Sequence, residues 1–348
     1  MNQNLEHIAR LAGVSRSTVS RVINNHPNVK PETRARVQAI IREQNFRPNA
    51  AARTLVTQES NVLSLVIPQA VASTFTDPYF PMLIQSITAK ANELDYALML
   101  WIGNSNEMAD RFAQRVLENS LFGGLLIAAA VNNDPLIPYL VNVQIPFLII
   151  GPPPLPELNF IDVDNLGAAR AAVSHLIDMG WKRIGTITGP LNMGAAAARL
   201  DGYRLALQEA GLTVDEALIV EGRFDEPSGY EAMNALLQQQ VDAVFVASDM
   251  MAFGALRAIH EAGLRVPEDI GIVGFDDLPA SASSTPPLTT VRQPIQEVGS
   301  LATQMLADLL QGRAEPPYQK ILPATLVVRQ SSGSNSFRWS SGGGVDSH

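Results

Sequence analysis

The chain has 348 residues, 46% hydrophobic and 17% charged, with mean hydropathy +0.07. That is enough for two or three structural units, and the absence of cysteine excludes a disulfide framework, thiol chemistry and Cys-ligated zinc. No apolar run is long enough to span a membrane, and Met1-Asn2-Gln3-Asn4-Leu5-Glu6 has neither a basic n-region nor an apolar h-region, so a cytoplasmic protein is expected.

The net charge of −9 is unevenly spread. Residues 1–56 hold nine Arg and Lys against Glu6, Glu32 and Glu43, a net +6, which leaves −15 on the remainder. A basic head on an acidic body suggests that the head binds a polyanion.

In the head, Leu5, Ile8, Ala9 and Ala12 repeat at i, i+3, i+4, i+7 and predict a short amphipathic helix. Gly13 ends it and Ser15 caps the next, where Val19, Val22 and Ile23 share one arc and Arg16, Ser17, Ser20 and Arg21 the opposite one. A third helix starts at Pro31, with Val37, Ile40 and Ile41 inward. Two short helices on a tight turn, closed by a third, make a helix-turn-helix unit. Arg16 can grip guanine bidentately in the major groove, and Arg21 can reach a base or a phosphate. A merely solvated polar face is the plainer alternative; the basic arc and the turn disfavour it.

Beyond the head, Pro48 stops any preceding helix and Asn49 is a good N-cap. Residues 50–55 have high helix propensity over less than two turns, too short to stand alone in water. Carrying Arg53 and an unattached Leu55, this segment reads as a hinge that orders on meeting a partner.

These residues carry a resemblance. The run from Ile8 through Val14-Ser15-Arg16-Ser17-Thr18-Val19-Ser20-Arg21 to Asn24, then Thr33-Arg34, then Arg47-Pro48-Asn49-Ala50-Ala51-Ala52-Arg53-Thr54-Leu55, resembles the DNA-binding head of the LacI/GalR family of bacterial repressors. The resemblance implies DNA contacts from Ser15, Arg16, Ser17, Thr18, Ser20, Arg21, Asn24, Thr33, Arg34, Asn49, Ala52, Arg53 and Leu55. Within that set, Arg16 and Ser17 would choose the operator, and Leu55 would wedge into the minor groove. Lys30 stands where relatives often have a Ser that caps the third helix.

From Val62 the pattern becomes apolar strands alternating with amphipathic helices. Strands are predicted at 62–67, 96–101, 124–128, 146–150, 183–188, 243–247 and 270–275. Helices are predicted at 79–93, 165–179, 196–210, 229–239 and 250–261. Parallel sheets covered on both faces follow, in two sets that break near residues 161–164, with a ligand cleft beyond the carboxyl ends of the strands.

The same resemblance runs on through Thr188-Gly189-Pro190-Leu191, Arg199-Leu200-Asp201-Gly202-Tyr203, Ser248-Asp249-Met250-Met251-Ala252, Gly274-Phe275-Asp276-Asp277 and Pro287-Leu288-Thr289-Thr290-Val291. It implies an all-α helix-turn-helix head (1–47), a hinge helix and linker (48–60), and a two-lobed α/β body with parallel sheets of the periplasmic-binding-protein type (61–330). The N-lobe would comprise 62–161 and 292–322, and the C-lobe 162–291 and 323–330. Residues 331–348, rich in Ser and Gly, read as a flexible tail.

For the cleft, Asp276 at a carboxyl strand end and Arg199 near Thr188-Gly189-Pro190 are the leading effector ligands, on family position. Ser248 is preferred as a ligand over Asp249, which reads as an N-cap. Tyr79, Phe80 and Phe224 either stack on a sugar face or plug the cleft as core; the resemblance favours the first. Asp164, with Asp162 beside it, is expected either to bind hydroxyls or to brace the lobes. The purine-binding relative has a basic residue where this chain has Met193, which favours a neutral sugar. The five histidines show neither metal spacing nor a nucleophile partner, so no cofactor and no enzyme activity are expected. The resulting expectation is a homodimeric repressor of double-stranded operator DNA, controlled by a mono- or disaccharide. The alternative is a transport-type sugar-binding protein without DNA regulation.

Overall fold

The computed structural model describes residues 5–23, 26–44, 46, 60–68, 71–103 and 122–333. The chain divides into two compact units, Met1–Ser60 and Asn61–His348. The expected DNA contacts Asn24, Asn49, Ala52, Arg53 and Leu55 lie outside the described residues.

The head contains α1 (Leu5–Ala12), α2 (Arg16–Ile23) and α3 (Pro31–Glu43). Gly13, at φ +60°, turns the chain out of α1 while Val14 N donates back to Ala9 O at 3.0 Å. Ser15 Oγ accepts Thr18 N at 3.2 Å and so caps α2. Lys30 gives α3 no side-chain cap; Pro31 begins the helix instead. Ile8, Ala12, Val19, Val22 and Val37 meet with Phe46 in one small core, each such large side chain contributing roughly 1.5–3 kcal/mol.

The described residues of the body form two six-stranded sheets. In the first, β1 (Val62–Ile67), β2 (Ala97–Ile102), β3 (Gly124–Ala128), β4 (Phe147–Ile150), β5 (Phe160–Val163) and β11 (Gln319–Leu322) run parallel in the order β11-β5-β4-β3-β1-β2. In the second, β6 (Ile184–Thr188), β7 (Ile219–Glu221), β8 (Ala243–Val246), β9 (Gly271–Asp276), β10 (Thr289–Arg292) and β12 (Thr325–Val327) follow the order β12-β10-β9-β8-β6-β7. Only the pairing of β12 with β10 is antiparallel. Strands β3, β4 and β8 are buried along their whole length, as parallel strands covered on both faces must be.

The described helices of the first lobe are α4 (Val71–Thr76), α5 (Tyr79–Glu93), α6 (Leu136–Val143) and α11 (Ile295–Leu310). Leu83 and Ile87 of α5 pack with Met305 and Leu306 of α11 on one face, and Leu136 and Leu140 of α6 cover the other. The second lobe has α7 (Asn165–Asp178) and α8 (Gly194–Glu209) on one face, α9 (Glu226–Gln238) and α10 (Asp249–Glu261) on the other. The chain passes between lobes three times: after β5, between β10 and α11, and between β11 and β12. Strand β5 carries the first lobe to Val163, inside the predicted break at 161–164. Among the described residues no helix is long and apolar enough to cross a membrane.

One expectation fails at the far end of the body. The tail was expected from residue 331, but Ser331 and Ser332 are fully buried. Ser331 Oγ accepts Thr289 N and donates to Ile272 O, both at 2.8 Å, while Trp181 Nε1 donates to Ser332 O at 3.0 Å. These two serines belong to the second lobe because its residues supply their partners, backbone groups for Ser331 and side chains for Ser332.

Candidate functional site

The cleft lies between the carboxyl ends of the two sheets and holds about 1170 Å³, counting the part open to solvent. Its second-lobe wall is built on Arg199 and Asp276, each only 6% exposed. Arg199 sits inside α8. Its guanidinium stacks 3.7 Å from the centre of the Phe275 ring. Nε donates to Asn165 Oδ1 at 2.9 Å and Nη1 to Ala247 O at 2.6 Å. Asp276, the last residue of β9, is held at φ +124°. Its Oδ1 lies 3.9 Å from Arg199 Nη1 and accepts Gln293 Nε2 at 2.5 Å. Burial lowers the Arg199 pKa and pushes the Asp276 carboxyl well above the usual range, each against the other's charge.

The first-lobe wall is acidic. Asp162 lies on β5 and accepts Asn165 Nδ2 at 3.0 Å; burial pushes its carboxyl up to about 6. Asp77 accepts the Tyr79 amide at 3.0 Å and is also raised by burial. The Tyr79 phenol lines the cleft and is raised in turn, chiefly by burial and next by Asp276. Phe80 borders the cleft but is 95% buried in the first-lobe core, so its role is mainly packing.

Two expected residues exchange roles with their neighbours. Asp164 is exposed and caps α7 by accepting Gly167 N at 2.8 Å; Asp162, not Asp164, faces the cleft. Ser248, not Asp249, caps α10, accepting Met251 N at 3.3 Å, although it still borders the cleft. Asp249 is fully buried and gathers Ser281 Oγ (2.5 Å), Thr290 Oγ1 (2.6 Å) and Leu278 N (2.9 Å), tying α10 to β10 and to the segment that follows β9; its burial raises the carboxyl to about 6. Asp277 pairs with Arg292 at 2.6 Å and Arg329 at 2.5 Å.

Phe224, at φ +61°, lies over Gly189, where a Cβ would come within 2.0 Å of its ring. Gly189 therefore provides the seat for this platform. At the mouth the lobes meet backbone to backbone: Asn132 N donates to Asn192 O at 2.7 Å, and Val131 and Met193 form an isolated antiparallel bridge. Beside them a Cβ on Gly194 would lie 2.9 Å from Pro152 Cβ. Sequence reasoning did not single out Asp77, Asn165 or Gln293 for the site.

In the head, Ser15, Arg16, Ser17 and Arg21 are exposed, and Thr18 and Ser20 half-buried. Ser15 Oγ lies 2.8 Å from Ser17 Oγ and 2.9 Å from Thr18 Oγ1. Arg16 has one loose, largely exposed ion pair with Glu6 at 3.8 Å, a contact worth little in water. Thr33 is half-buried on α3, and Arg34 Nη2 donates to His26 O at 2.6 Å, bracing the turn before that helix.

A helix-turn-helix head joined to a two-lobed body with a polar cleft defines a DNA-binding regulator that carries its own sensor. Residues 4–49 match the family described as bacterial regulatory proteins, lacI family, and residues 173–332 match the periplasmic binding protein-like domain. Over 332 residues the chain is 38% identical to the HTH-type transcriptional regulator CelR of Thermobifida fusca, covering 94% of this chain and 97% of that one. It is 34% identical to the ribose operon repressor of Escherichia coli strain K12, covering 87% and 91% of the two chains. Among solved structures, the lac repressor dimer bound to operator and the anti-inducer ONPF superposes with TM-score 0.84 at 29% identity, covering 96% of this chain and 100% of that one. A CelR–cellobiose complex gives 0.76 at 36% identity, covering 95% and 100%. This chain belongs to the lacI family of bacterial regulatory proteins.

Proposed function

We propose that the protein is a cytoplasmic, homodimeric transcriptional repressor without enzyme activity, which binds operator DNA through two heads and is controlled by a mono- or disaccharide in the cleft. The observation that carries the sugar reading is the buried Arg199–Asp276 pair at the carboxyl end of β9. A planar guanidinium beside a carboxylate offers donors and acceptors to vicinal hydroxyls, and Tyr79 and Phe224 supply apolar faces for a pyranose. The sugar effectors in the names of the CelR–cellobiose complex and the ribose repressor support the same class.

On the DNA side, Arg16, Ser17 and Arg21 read the major groove, with Ser15, Thr18, Ser20, Asn24, Thr33 and Arg34 around them, and Asn49, Ala52, Arg53 and Leu55 acting at the operator centre. A two-fold operator needs two heads, which is the argument for a dimer. Sugar binding changes the angle between the lobes and releases DNA. A gel-shift titration of a promoter fragment across mono- and disaccharides tests this: release by one sugar is the expected result. Tightened binding overturns induction, and no operator binding at low salt would favour a transport-type sugar-binding protein.

A further inference from the structure

The charges in the cleft do not balance. Arg199 is matched by Asp276 at 3.9 Å on the second-lobe wall. Opposite them, Asp77 and Asp162 have no ion-pair partner among the described residues; each accepts only hydrogen bonds from neutral donors. Arg223, at the rim, is engaged by Asp225 at 3.7 Å and Glu231 at 3.2 Å. Two carboxylates thus face a cleft whose one buried cation is already matched. Burial raises both carboxyls by more than the charge of Arg199, which acts on each, lowers them.

The second wall adds an independent pointer to a ligand. Arg199 is 94% buried and lines the cleft, yet Nη2 has no hydrogen bond among the described residues, since Nε and Nη1 take Asn165 and Ala247. One side of the bound molecule is therefore met by an open guanidinium edge, the other by two carboxylates that share their one nearby cation, Arg199, with Asp276. Hydroxyl groups suit the first. A neutral polyol can also donate to the second, but it leaves the charge standing, whereas an ammonium supplies both hydrogen bonds and charge. Resting on the reading of the cleft as a sugar site, we infer that the effector is an amino sugar, its ammonium against Asp77 and Asp162 and its hydroxyls on Arg199 and Asp276.

The test is calorimetric titration of the full chain near neutral pH with glucosamine and its β-1,4-linked dimer, each against the neutral sugar of the same size (glucose, cellobiose) and against the N-acetylated form. The expected result is a Kd about tenfold lower for the amine, equivalent to about 1.4 kcal/mol. That preference should fall below about threefold in Asp77→Asn and in Asp162→Asn, each shown to be folded by a cooperative sugar-free melting transition. Equal or tighter binding of the neutral or N-acetylated sugars overturns the proposal and leaves the sugar reading standing. A preference that survives in both folded variants also overturns it. If none of these sugars binds, the proposal falls together with the reading beneath it.

Discussion

Replacing Arg199 by Leu tests how the cleft is held together. The substitution keeps an aliphatic stem against Phe275 but removes two hydrogen bonds from a charged donor, a ring contact at 3.7 Å and the cation beside Asp276. The group left behind dominates the result, because Asp276 is 94% buried and, among the described residues, retains only Gln293 as a hydrogen-bond donor. Breaking a buried pair from one side costs about 3–5 kcal/mol. With a urea slope near 3 kcal/mol/M, the body's unfolding midpoint should drop by about 1 M or more. The assay is urea unfolding followed by tryptophan fluorescence; Trp181 reports from the same lobe, through its indole bond to Ser332 O. Adding Asp276→Asn should restore part of the loss, giving a positive coupling in the double-mutant cycle. A loss below about 1 kcal/mol would refute the reasoning, since the carboxylate would then be finding water in place of the guanidinium.

Four further outcomes are expected. Arg16→Ala should weaken cognate operator binding by about 1–3 kcal/mol and random DNA far less, measured by competition gel shift; equal losses would assign Arg16 to phosphate. Leu55→Ala should lower operator affinity while sugar affinity, measured by titration, stays nearly unchanged. Gly189→Ala puts a methyl group 2.0 Å from the Phe224 ring, so sugar affinity should fall by about tenfold, a loss of about 1.4 kcal/mol. Finally, a carboxyl raised from 3.8 to about 6 favours the folded state fully below about pH 4 and loses that contribution as pH rises to about 6. Asp162→Asn should therefore look progressively more favourable, relative to the unaltered chain, as melting is followed from pH 4 to 7; the opposite trend would exclude burial as the cause.

What was legible in the sequence was local. Gly13, Ser15 and Pro31 act within one turn of themselves, and each does what its residue type predicts. The long apolar strands were visible because burial on both faces leaves a continuous run. The three-residue strands β7 and β12 and the largely exposed β11 carry no such run, and pairing alone makes them strands. Arg199 and Asp276 stood out through resemblance, not pattern. Asp162 and Asp164 are two apart and would share a face on an unbroken strand, but β5 stops at Val163 and Asp164 becomes a cap. Ser248 and Asp249 are both capping types; three donors distant in sequence decide between them by converging on Asp249. Asn165 joins Asp162 to an arginine 34 positions away, and nothing in its own neighbourhood announces that link.

The contact across the mouth of the cleft has a consequence of its own. It is made by peptide groups, Asn132 N to Asn192 O and the Val131–Met193 bridge, with bare Gly194 beside Pro152. Peptide groups are the same whatever side chains surround them, so the catch that shuts the door is separable from the lock that reads the key. Residues such as Asp77, Asp162 and Phe224 can be exchanged to admit a different molecule without redrawing the hydrogen bonds that close over it. Gly194 is the position where this freedom stops, because any side chain there stands in the door frame.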